Sequence, residues 1–165
     1  MKRIILTAFT AALMAGAAAC SSMRMTSEEK AVMAADIQSM IDNRAYSINV
    51  DRAIPSRGGN VTLTGSYDLK ISGDSVYSYL PYFGRAYSLP YGGGEGLIFK
   101  GVMSDYSHSK GKKGANRIAF TVRTQEDVYT FDLDIFTNGS ASIIVGPGNK
   151  SPITFQGNVD LTKNK

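Results

Sequence analysis

Beyond residue 45 the chain alternates apolar and polar side chains with a period of two. Tyr46, Ile48 and Val50 fall on one side of a short run, with Ser47, Asn49 and Asp51 on the other. Val61, Leu63, Gly65, Tyr67, Leu69 and Ile71 then alternate with Asn60, Thr62, Thr64, Ser66, Asp68 and Lys70. The pattern returns in Ile118, Phe120 and Val122, in Tyr129, Phe131, Leu133 and Ile135, and in Ile153, Phe155, Gly157, Val159 and Leu161. Such alternation marks antiparallel strands with one buried and one wet face. It predicts eight strands, near 46–51, 60–72, 75–81, 97–108, 116–124, 127–137, 140–146 and 153–161.

Turn residues punctuate these runs. Ser72–Ser75, Thr124–Asp127 and Thr137–Ser140 read as hairpin connections, and Asn138-Gly139 has the composition of a type I′ turn. The lysine-rich "KGKKGAN" reads as a looser, solvated tip. Short connections favour a meander, which closes most simply into an up-and-down barrel. Gly65 and Gly157 on the apolar side fit the bends that closure needs. The expectation is a mainly β protein with a lipocalin-like small barrel; a two-sheet sandwich is the alternative.

One segment follows a different period. In "TSEEKAVMAADIQSMIDNR", residues 26–44, Val32, Met33, Ile37, Met40 and Ile41 recur at helical spacing. Thr26 and Glu29 form a capping box, and Glu28 and Glu29 suit the positive end of the helix dipole. This helix is expected to dock its apolar stripe on one side or one open end of the strands.

The first nineteen residues read as a signal peptide that is removed. Lys2 and Arg3 precede the apolar "IILTAFTAALMAG", which is too short for a permanent span. "AAAC" then places small residues before Cys20, as in a bacterial lipoprotein signal, although Ala17-Ala18-Ala19 also fits ordinary secretion. Cys20 is the single cysteine, at the one position where lipidation requires it. The reading is a lipidated Cys20, a tether over 20–25 and one β-rich domain over 26–165. The absence of an acidic run after Cys20 points to the outer membrane, facing the periplasm. Lys2 and Arg3 supply two of the formal +4 charges, so the mature chain is nearly balanced, and nucleic acid is not an expected partner.

Candidate chemistry is sparse. His108 is the only histidine, and with Cys20 given to lipid no metal site or nucleophile triad can be assembled from His and Cys. Asp132 and Asp134 share the wet face of one strand, and Asp68 could join them as an acid pair or a calcium site. "GGGEG" leads into a strand, where a phosphate site would need a helix N-terminus. The expectation is no cofactor, no metal and no catalysis.

The remaining feature is "YLPYFGRAYSLPYGGGEGLIFKG", Tyr79 to Gly101. Pro81 ends a strand, and the long connection that follows reads as a loop folded over the sheet or across a barrel mouth. Tyr79, Tyr82, Phe83, Arg85, Tyr87 and Tyr91 are the candidate binding residues. Their rings could stack on a glycan with Arg85 as a polar anchor, or could simply cover the loop. The absence of tryptophan favours cover.

The block Tyr67–Gly101, "YDLKISGDSVYSYLPYFGRAYSLPYGGGEGLIFKG", resembles the signature of a family of Bacteroidetes lipoproteins known only as a domain of unknown function. The resemblance implies a lipoprotein with a single β domain and supplies no activity or catalytic residue. Three roles are left open. The first is a non-catalytic envelope module for a small apolar or glycan ligand, inside or at the mouth of the barrel. The second is an assembly protein that contacts another envelope protein through the 79–97 loop. The third is a carboxylate hydrolase of envelope polymers.

Overall fold

The computed structural model describes residues 25–83 and 96–162. Helix α1 spans Ser27–Asp42, with Thr26 as N-cap. The Glu29 amide donates to Thr26 Oγ1 at 3.2 Å and the Thr26 amide to Glu29 Oε2 at 2.7 Å, completing the capping box. Arg44 takes a positive φ of 48° and turns the chain out of the helix.

Eight strands follow: β1 Ala45–Pro55, β2 Val61–Ser72, β3 Ser75–Leu80, β4 Leu97–Lys110, β5 Asn116–Arg123, β6 Val128–Ile135, β7 Ser140–Pro147 and β8 Ile153–Val159. Each pairs antiparallel with the next, and β8 returns to β1 through Ile48↔Val159 and Ala53↔Phe155. The sheet is therefore a closed barrel rather than a sandwich, and closure removes every free sheet edge along the β1–β8 seam.

Closure depends on local departures from regular pairing. β1 shifts register between Val50 and Arg52 against both neighbours. Gly157 faces this bulge, where a β-carbon would run into the Asn49 carbonyl, so only glycine lets β8 approach. A second bulge lies in β4 between Ser104 and Ser107, with Asp105 at φ 55°. It turns Tyr106 toward the barrel end, where its ring stacks on Phe120. The Asn138-Gly139 turn differs from expectation. Only Gly139 has positive φ, at 85°, and the Gly139 amide donates to Phe136 O at 3.0 Å. One left-handed glycine suffices because the loop is longer than the two residues of a type I′ turn.

The interior is filled by side chains. Ile48, Leu69, Val76, Leu80, Leu97, Ile118 and Phe155 have no exposed surface, so no water-sized void adjoins them. Aromatic rings form a continuous stack: Tyr129 on Phe99 at 4.4 Å between centroids, Phe99 against Phe131 at 6.2 Å, and Phe131 on Phe120 at 4.9 Å. Of Tyr67, Leu69, Phe120 and Phe131, the residues a ligand cavity would have been lined by, the last three are buried core and Tyr67 is partly buried against it. The interior-ligand form of the binding expectation is corrected by this packing.

Helix α1 closes one end of the barrel with Ile37, Met40 and Ile41. Met33 is partly buried against the same core, whereas Val32 is 57% exposed. The helix crosses the barrel end. Its first half lies beside Leu161, just after β8, while Arg44 at its other end pairs with Asp74 in the β2–β3 turn at 2.6 Å. Lys110 bonds Gln38 and Asn116 and fastens the helix to the β4–β5 hairpin.

Candidate functional site

The sequence-predicted residues separate in space. Cys20, Arg85, Tyr87 and Tyr91 lie outside the described residues. Tyr82 is a fastening: its hydroxyl donates to Ser151 O at 2.9 Å, tying the start of the long connection to the β7–β8 turn. Lys150 from that turn is almost fully buried, lies 5.4 Å from the Tyr82 ring and donates to Gly96 O at 3.3 Å. Phe83 is exposed at the same end. Tyr79 belongs elsewhere, on the outer wall of β3.

That wall carries the most unusual surface among the described residues. β3 sends Val76, Ser78 and Leu80 inward and Tyr77 and Tyr79 outward. Strand register sets two rows across the wall: Lys70–Tyr77–Lys100 and Asp68–Tyr79–Ile98. Val102 follows on β4, opposite Ser75, and is 68% exposed. Lys100 and Lys70 place their ammonium groups 4.9 and 5.8 Å from the Tyr77 ring centroid. Tyr79 stacks on Tyr67 at 5.6 Å, 22° from parallel, and keeps about half its surface exposed at 49%. Lys70, Tyr77, Ile98, Lys100 and Val102 were not singled out from sequence. The available signal was that β3 alternates with tyrosine, where β6 and β8 place Thr, Asp, Gln or Asn.

The catalytic alternatives do not assemble. Asp134 is paired with Arg117, whose Nε and Nη2 donate at 2.9 and 3.2 Å. Hydrogen bonding to Asp134, with its charge, holds that guanidinium still more firmly protonated. Asp132 stands beside Ala119 on β6, whereas Asp68 accepts from Ser47 Oγ at 3.3 Å on β2. These strands lie across the barrel from one another. No group of His, Cys, Asp and Glu suited to a metal occurs among the described residues. His108 Nε2 lies 3.0 Å from Asn116 Oδ1, in the contacts that hold the helix.

Tyr46 is the one buried side chain among the described residues whose polar atom lacks a hydrogen-bond partner. Burial pushes its phenol well above the ordinary value of 10.0, with the facing Tyr106 phenol adding to the effect. Two clefts lie at the helix end. One of about 230 Å³ is lined by Met40, Tyr46, Ser47, Lys70 and Asp160. A more open one of about 460 Å³ runs between the helix and Leu161.

A crystal structure of a DUF4251 family protein from Bacteroides eggerthii DSM 20697 has the same fold. It superposes with a TM-score of 0.63 at 17% identity, over 78% of this chain and 87% of that one. No curated protein matches the sequence. The family model described as "Domain of unknown function (DUF4251)" matches residues 28–159, from the first turn of the helix to the last residue of β8. The chain belongs to the DUF4251 family.

Proposed function

We propose that this protein is a lipid-anchored recognition module of the cell envelope, without catalysis, that binds through the outer wall of β2, β3 and β4. The observation that carries the reading is the contrast between a filled interior and an exposed wall bearing Tyr77, Tyr79, Ile98 and Val102. Clustered exposed apolar side chains on a folded protein mark interaction surfaces.

Hydroxyl-radical footprinting tests the wall irrespective of what covers it. Tyr77 and Tyr79 are expected to be oxidised less in intact cells than in the purified protein. Ile144, exposed on the opposite strand β7, should be oxidised equally in both. Equal labelling of the tyrosines would remove the wall as the recognition surface. Release of a Cys20→Ser variant from the membrane fraction is the matching outcome for the anchor.

A further inference from the structure

We infer that the partner of this wall is an acidic glycan, a polymer of sugar rings carrying carboxylates. The inference rests on the reading of the β2–β4 wall as the recognition surface and assigns the chemistry of its occupant.

Charge is the first argument. The row Lys70–Tyr77–Lys100 holds two ammonium groups on strands two apart, roughly 10 Å between their backbones. Arg123 stands one step beyond the Met103↔Val122 pair, across from Val102, and is exposed. The one outward carboxylate in these rows, Asp68, is engaged by Ser47 on the far side of β2. In these rows Lys70, Lys100 and the neighbouring Arg123 of β5 outnumber Asp68, while Asp74 in the β2–β3 turn is paired with Arg44 and Asp105 stands apart at the β4 bulge, which suits a partner with repeated negative charge.

Ring geometry is the second. Tyr67 backs Tyr79 and fixes its plane, so one exposed aromatic face is held ready before any partner arrives. The C–H face of a sugar packs on such a ring, and the phenol hydroxyl remains in water. Ile98, next to Tyr79 in the same row, extends the apolar strip. A polymer laid across the strands would meet an aromatic face and ammonium groups in adjacent rows. The closed barrel leaves no strand edge at the β1–β8 seam for an added peptide strand, which favours a partner read by the side chains of this wall.

The test uses the mature chain with polygalacturonate as the acidic probe and its methyl ester as the uncharged counterpart, in affinity electrophoresis and calorimetry at low salt. Binding to polygalacturonate, and about tenfold weaker binding or none to the ester, is expected. Lys70→Gln combined with Lys100→Gln, and separately Tyr79→Ala, should each weaken binding by about tenfold or more. Lys112→Gln, in the β4–β5 connection beyond the end of β4, should not. Equal binding to acid and ester overturns the role of charge. Full competition by inorganic polyphosphate, with Tyr79→Ala unaffected, overturns the glycan in favour of a general polyanion surface. If neither polymer binds while Tyr77 and Tyr79 stay protected in cells, the glycan assignment is wrong and the wall belongs to a protein partner.

Discussion

Phe120 and Phe131 stand directly opposite one another on β5 and β6, with their rings stacked 4.9 Å apart and 13° from parallel at the centre of the barrel. Together with Phe99 they occupy the volume that a hollow barrel would leave for a ligand. Phe131→Ala should therefore cost about 3–5 kcal/mol of unfolding free energy, and Phe131→Leu distinctly less. Urea denaturation measures both. A loss for Phe131→Ala under about 1 kcal/mol would show that the interior is not close-packed.

Gly157 and Gly101 give a graded prediction. A β-carbon at Gly157 meets the backbone of Asn49 and Val50, which cannot move without breaking the β1–β8 seam. Gly157→Ala is expected to cost about 3 kcal/mol or more, or to prevent folding. A β-carbon at Gly101 meets only the Val122 side chain. Gly101→Ala should cost about 1–3 kcal/mol, and Val122→Ala should recover part of that loss in a double-mutant cycle.

Removing the Tyr46 hydroxyl deletes a buried polar atom that has no partner. Tyr46→Phe should be neutral or stabilising by about 1 kcal/mol, read as a higher Tm. A clear loss of stability would reveal that the hydroxyl is held by a water or a neighbouring group.

Alkaline pH probes the same residue. Burial raises the Tyr46, Tyr106 and Tyr129 phenols above their ordinary 10.0. The folded protein then keeps protons that the unfolded chain releases. This contribution is fully present below about pH 10 and is lost as pH rises through the folded values. Stability should fall above about pH 10, and Tyr46→Phe should flatten the fall. A variant with an unchanged slope would exclude Tyr46 as a source.

The capping box should be worth about 1 kcal/mol, measured as the loss on Thr26→Ala. Because residues 27–32 are exposed, that loss should appear as faster hydrogen exchange there before it appears in global unfolding.

Much of the architecture was legible in the chain. The alternation in β5, β6 and β8 sorted the inward residues, in β2 it did so only for Leu69 and Ile71, and the period change at residues 26–44 located the helix. The two bulges were not legible, because an extra residue at Asp51 or Asp105 breaks no composition rule and shows only in pairing. The filled interior was hidden for a related reason, since Leu69, Phe120 and Phe131 would be apolar in a hollow barrel too. The wall site depended on register. Lys70, Tyr77 and Lys100 are far apart in sequence and become a row only when β2, β3 and β4 align. Half of the aromatic stretch, by contrast, separated: Tyr82 fastens a turn while Tyr79 faces out.

The seam between β1 and β8 joins Ile48 to Val159, residues that leave the ribosome at opposite ends of synthesis. A growing chain can pair β1 with β2 and each later strand with its predecessor, but the ring stays open until the last strand arrives. Up to that moment β1 carries an unmatched edge and the aromatic stack has an open side. Completion therefore demands contacts of very long sequence separation, which slows folding. The slow step therefore falls after β8 has been made, and a chain that ends before β8 stays an open, edge-bearing sheet.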